Sequence, residues 1–222
     1  MPFVLAALAI ASAAERRWPL RRRTERALPR FVANAVMGAL ALGWDAAVGS
    51  RLLRFRKRRA PLEMVADVLL LDYTLWWWHR WNHEVAPLWR FHAIHHADAD
   101  MDSSTALRFA LGERMLSSVY RALQVLLVQP SELSYRVWQT MLFASILFHH
   151  SNIRLPQRID DRVARHLVAP RMHGIHHANV IAWSLMNYAS LLTWWDEVHG
   201  KLLLDVPQEE IVIGAPSADH HR

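Results

Sequence analysis

The chain has 222 residues, 53% of them hydrophobic, with 11 Trp, no Cys and a formal charge of +6. One domain is expected at this length, and the lack of Cys excludes disulfides, thiolate-metal sites and cysteine nucleophiles together. All 26 basic residues except Lys57 and Lys201 are Arg, and they cluster beside apolar runs, which fits a membrane protein meeting anionic head groups and argues against a nucleic-acid partner.

Taken in order, the first apolar run is Pro2 to Ala14. It is short against the ~20 residues of a span. Its positive charges, Arg16, Arg17 and Arg21 to Arg23, come after it where a signal peptide would place them in front, so it is read as a first membrane helix. Phe31 to Ser50 is cleaner, interrupted only by Asn34 and Asp45, and Ala35, Gly38, Ala39 and Ala41 would let a neighbour pack closely. Arginines flank it on both sides, so loop charge does not orient it. The Arg and Ala bias points to a GC-rich bacterial genome, and hence to the inner membrane, with the histidine-bearing face toward the cytoplasm.

The third run, Leu62 to Trp78, carries Asp67 and Asp72 and ends in Trp76-Trp77-Trp78. Tryptophans gather at the head-group boundary, so the next residues lie at or just beyond the membrane surface. These are His79-Arg-Trp-Asn-His83 and then His92-Ala-Ile-His95-His96, with Pro87 breaking the helix between them. Met115 to Val128 and Leu133 to Phe148, joined by Gln129-Pro130-Ser131-Glu132, form an expected hairpin that dips into the bilayer or packs inside the protein. A hairpin returns the chain to its starting side and delivers His149-His150-Ser151-Asn152 to the earlier histidines. Arg154 to Arg171 reads as polar surface. The second H-x-x-H-H block is His173-Gly-Ile-His176-His177. Ala182 to Trp195 is aromatic but too short to span, so an interfacial helix is expected. His220 and His221 lie in a tail without chemistry.

Helical positions three and four apart share a face, so each block presents its imidazoles toward one point. His79, His83, His92, His95, His96, His150, His173, His176 and His177 are the nine candidate ligands. One first-row metal ion binds about four to six, so two ions are the economical reading. Imidazole without thiolate suits Fe, Zn, Cu or Ni alike. An H-E-x-x-H protease is excluded because Arg80 comes directly after His79 and no histidine lies four residues after His83. An acyltransferase pair, His95 with Asp100, leaves the other histidines unexplained, and no G-x-S-x-G, P-loop or G-x-G-x-x-G occurs. A membrane protein that binds metal without catalysis is the alternative from another class.

The order H-x-x-x-H, H-x-x-H-H, F-H-H-S-N and H-x-x-H-H, with Leu88-Trp89-Arg90-Phe91 leading into His92, resembles the fatty acid hydroxylase / sterol desaturase superfamily. The likeness runs from about Asp72 to Gly200 and includes Met101-Asp102, Arg108-Phe109, Glu113, Pro170-Arg171-Met172, Asn187-Tyr188 and Trp195-Asp196. It implies an all-α fold: multipass membrane helices with a histidine-rich helical cap holding a dimetal centre at the membrane surface, in a single domain over residues 1–222. It also implies two iron ions, O₂ as cosubstrate, and hydroxylation of a lipid C–H bond, or desaturation on the same site. Electrons are expected from a separate donor of ferredoxin, cytochrome or reductase type. Asp72, Asp98, Asp102, Glu113 and Asp196 are candidate acids for orienting imidazole N–H groups. The chain departs from R-F-H-P-x-E at Arg108-Phe109-Ala110-Leu111-Gly112-Glu113, so one metal is expected to hold fewer imidazoles or a water. Ala189, where relatives have Gly after Asn-Tyr, points to an altered substrate entrance. His149 is the weaker candidate beside His150, and His166 and His199 are read as structural.

Overall fold

The computed structural model describes residues 2–48, 51, 53, 55 and 60–216, with side chains from residue 6. Among these residues there are helices and three isolated β-bridges but no strand, so the expected all-α class holds. His220 and His221 lie outside the described residues.

The helices are α1 (Pro2–Arg17), α2 (Ala27–Ala47), α3 (Pro61–Glu84), α4 (Ala86–His96), α5 (Leu111–Val128), α6 (Glu132–His150), α7 (Gln157–Ala164), α8 (Pro170–His176), α9 (Ile181–Ser184) and α10 (Trp194–Val198). The longest, α3, starts on Pro61, where a missing N–H costs nothing, and Glu63 reaches back to accept the Ala60 N–H at 2.9 Å. It runs through His79 and His83 without a break. Pro87 sits in the first turn of α4, which accounts for the break between the two histidine motifs.

The α5–α6 hairpin forms as expected. Gln129 closes α5 in the left-handed region at φ 51, and the Ser131 hydroxyl caps α6 by accepting the Ser134 N–H at 3.0 Å. Asp67 accepts the Ser131 N–H at 3.2 Å and so ties the hairpin tip to α3. Along the α3–α5 seam, Trp78 donates to Ser117, Tyr120 to the Thr74 carbonyl and Gln124 to the Leu71 carbonyl. Leu71, Leu75, Val125, Tyr135, Trp138, Leu142 and Leu191 fill the space between α3, α5 and α6, each large side chain contributing about 1.5–3 kcal/mol by leaving water.

Among the described residues one helix, α2, is long and apolar enough to cross a membrane. Its inward side carries Arg30 and Asn34, which bond to Asp98, while Val32, Val36 and Leu40 face outward. Gly38 lets α2 approach the 3₁₀ turn Ser103–Leu107, because a Cβ there would lie 2.9 Å from the Leu107 Cβ. From α1, the buried Glu15 accepts the N–H groups of Ser103 and Asn152, at 2.7 and 3.1 Å.

The expected interfacial helix over Ala182 to Trp195 does not form. Only Ile181–Ser184 is helical before α10, and Asn187 turns the chain at φ 57. Asn187 exchanges hydrogen bonds with Leu203 and donates to the Met172 carbonyl, so side-chain bonding outcompetes helix here.

Candidate metal centre

The C-terminal turns of α3, α4, α6 and α8 converge. They carry His79 and His83; His92, His95 and His96; His150; and His173 and His176, with His177 capping α8. The nine histidines form two groups in which the ligand atoms lie within 4.8 Å of one another: His79, His83, His92, His96 and His176, and then His95, His150, His173 and His177. The groups touch where the His96 and His177 rings stack, 4.1 Å apart and 10° from parallel.

Five rings have their Nδ1 committed. His79 donates to the Tyr188 carbonyl at 2.6 Å, His176 to the Met186 carbonyl at 2.8 Å, His95 to the Arg108 carbonyl at 3.0 Å and His150 to the Ile146 carbonyl at 2.8 Å. His92 Nδ1 meets the Glu113 carboxylate at 2.9 Å. A carbonyl only accepts, so the first four rings carry their proton on Nδ1 and present a lone pair at Nε2. Those lone pairs face each other: His150 and His95 Nε2 lie 3.0 Å apart, and His176 and His79 Nε2 lie 3.1 Å apart. His173 Nε2 is 3.1 Å from His150 Nε2.

Burial first, and then the neighbouring His150, hold His95 well below the usual histidine range. Burial and His79 do the same to His176, and burial and His96 to His177. These three rings are therefore held as neutral imidazole, the form that binds metal. Both ring nitrogens of His83, His96 and His177, and Nε2 of His92, are buried with no hydrogen-bond partner.

Of the five candidate acids, Glu113 alone touches one of the nine rings. Asp98 and Asp102 pair with Arg30, and Asp72 accepts from Trp195 Nε1 at 2.7 Å. Asp196 accepts from Trp76 Nε1 and from the N–H groups of Tyr188 and Ala189, at 2.7, 2.9 and 3.0 Å, so it holds the carbonyl that orients His79. His149 is buried against His173, ring centres 4.1 Å apart, yet belongs to neither group. His199 stacks on Trp76 and bonds Tyr73, and His166 packs on Trp194, as structural residues do. Ala110, buried, starts α5 and offers no donor. The Met186 and Ile146 carbonyls had no signal in the sequence, whereas Arg108, Phe109 and Tyr188 stood in the stretches that carry the likeness without a role assigned; Phe109 stacks on His95 at 4.8 Å and 5°.

A cavity of about 440 Å³ lies between α2, α5 and α6; none of the nine histidines lines it, and Phe109, stacked on His95, separates it from the four-histidine group. Phe109 and Ile146 line its near end; Arg121, Tyr135 and Gln139 line its far end.

Helices throughout the described residues and nine thiolate-free imidazoles in two clusters, eight of them buried and His79 half-buried, define a class, the helical proteins with a histidine-clustered centre able to hold metal. The family model described as fatty acid hydroxylase matches residues 64–201, and the chain belongs to that family. It is 26% identical over 157 residues to the human alkylglycerol monooxygenase, covering 70% of this chain and 33% of the relative. It is 27% identical over 139 residues to the ornithine lipid hydroxylase OlsE of Rhizobium tropici, covering 62% and 41%. The chain thus spans about a third to two-fifths of the length of these relatives. No solved structure matches it.

Proposed function

We propose that this chain is a membrane-bound lipid hydroxylase whose nine histidines hold two metal ions, iron in each position, within a single domain over residues 1–222. The observation that carries the reading is the facing of Nε2 lone pairs at 3.0 and 3.1 Å between rings whose Nδ1 protons are already donated. Two lone pairs at that distance repel unless they share a cation. Two nitrogen ligands at right angles, each about 2.1 Å from one metal ion, stand about 3.0 Å apart, which the pairs match. The unpartnered nitrogens of His83, His92, His96 and His177 complete the donor sets.

Hydroxylation consumes O₂, two electrons and two protons for each C–H bond converted to C–OH, with one water released, and the metal pair supplies the oxygen activation that no side chain can. The residues hold the rest of the task. Tyr188, Met186, Arg108 and Ile146 fix ring orientation through their carbonyls, and Glu113 does so for His92. Trp89, buried against the His83 and His96 rings, excludes water from that side of the centre. Exposed apolar side chains on α2, α5 and α6, including Val36, Leu40, Leu126, Leu127 and Leu133, form the surface expected to meet lipid tails. The multipass arrangement and a cytoplasm-facing centre belong to this reading, and a separate redox protein would supply the electrons.

Hydroxylation is preferred to desaturation because the relatives are named as a monooxygenase and a hydroxylase. Metal analysis of the purified protein tests the reading against a non-catalytic metal binder. About two irons per chain, with a hydroxylated lipid formed under O₂, is the expected result. One zinc per chain, or a lipid profile unchanged by the gene, overturns it.

A further inference from the structure

The cavity that Phe109 separates from the four-histidine group is unequal at its two ends. At the near end, Phe109 stacks on His95, and the carbonyl of Ile146 holds His150. Ala106, Leu107, Leu142 and Phe143 continue an apolar wall. At the far end the wall turns polar, at Arg121, Tyr135 and Gln139. Residues 135 to 146 of α6 span the cavity, about 16 Å at 1.5 Å per residue.

The cavity holds two arginines in different states. Arg114 is neutralised by an ion pair with Asp45. Arg121 has no ion pair of its own: its guanidinium lies over the Trp138 ring, 4.8 Å from the centroid, with the Tyr135 hydroxyl beside it, and it feels the Asp45 charge only as a carboxylate already paired with Arg114. Among the described residues no carboxylate lies within ion-pair distance of it. A half-buried guanidinium on a largely apolar cavity carries a desolvation cost that an aromatic face offsets only in part. Its fork matches a carboxylate or phosphate with two N–H donors.

We propose that this cavity binds a single-chain amphiphile with its carboxylate or phosphate on Arg121 and its alkyl chain running along α6 to Phe109. The carbon presented to the histidine centre is then remote from the charged end. This rests on the reading of the centre as acting on lipid, and it adds a polarity to the substrate and a residue that selects it.

Binding to the metal-loaded protein in neutral detergent, measured by titration calorimetry, tests it with three ligands of one chain length: palmitate, hexadecyl phosphate and hexadecanol. At least one of the two anions is expected to bind ten-fold or more tighter than the alcohol, and the tighter one identifies the head group. Arg121→Gln is expected to abolish that preference while leaving hexadecanol binding unchanged, and Arg121→Lys to keep part of it. Equal affinities for all three ligands in the unmodified protein overturn the proposal without any variant. So does an Arg121→Gln protein that still prefers the anion or weakens on all three alike. Iron content and product formation judge the hydroxylase reading separately, since neither depends on which ligand Arg121 prefers.

Discussion

The two histidine groups share α4 and α8, with α3 completing the group of five and α6 the group of four, and their rings are held differently. In the group of five, His79 and His176 are oriented by carbonyls of the irregular segment around Asn187, and His92 by the Glu113 carboxylate. In the group of four, His95 and His150 are oriented by the carbonyls of Arg108 and Ile146, and no carboxylate takes part. The first group is braced by distant chain and a charge. The second has the smaller donor set and adjoins the cavity through Phe109. Under the proposed function, this division makes the five-histidine group the anchor and puts the four-histidine group nearer the substrate.

The largest effects should come from removing a ring from each group. His83→Ala and His177→Ala are expected to lower bound iron from about two per chain and to reduce lipid hydroxylation by more than ~100-fold, since even residues that only orient a ligand cost 10–100-fold when lost. Elemental analysis beside product assay checks both. If either variant keeps two irons, the assignment of that ring to its group is wrong.

Next comes Glu113→Ala, which removes the only carboxylate on either group. It should weaken one of the two iron sites by ~10–100-fold and leave the other unchanged, read as a biphasic release of iron to a chelator. Equal weakening of both sites would erase the asymmetry.

The nine candidate rings are legible in the sequence because helical spacing is local, but the expectation that each block presents its imidazoles toward one point does not hold: His92 and His96 enter the group of five and His95 the group of four, and His176 parts likewise from His173 and His177. The Pro87 break and the hairpin that returns His150 rest on equally local signals. The division of the rings into five and four depends on how four helices meet, which no local pattern encodes. The acids show the same limit. Asp98 and Asp102 sit as close to the motifs in sequence as Glu113 does, but Arg30, from a helix some seventy residues earlier, takes them. Ala182 to Trp195 has the composition of a helix, but the hydrogen bonds that unwind it come from Asn187, Asp196 and Leu203.

Asp196→Asn probes the brace behind the larger group. Asp196 accepts three N–H donors, so an amide must turn its NH₂ toward one of them, at a cost of about 1–3 kcal/mol. A chain of this size loses about 2–4 °C in Tm per kcal/mol. The Tyr188 carbonyl should shift with it, so the five-histidine group should release iron faster while the four-histidine group does not.

The smallest expected effect is that of Phe109→Leu, and it bears on the smaller group alone. The ring lies flat on His95 at 4.8 Å and forms the near wall of the cavity. Leucine keeps most of the apolar surface but loses the stacking, which is worth about 0.5–1.5 kcal/mol beyond area. The His95 Nδ1 bond to the Arg108 carbonyl remains, so the ring stays oriented and iron content should remain at about two per chain. What changes is the surface met by the reacting end of the substrate. Product yield should therefore fall by several-fold, or its position of oxidation broaden, with Tm lowered by only a few degrees. Lipid product analysis beside iron quantitation separates the outcomes. Loss of iron from Phe109→Leu would mean that stacking, and not the carbonyl, holds His95, and that the four-histidine group is the more weakly braced of the two.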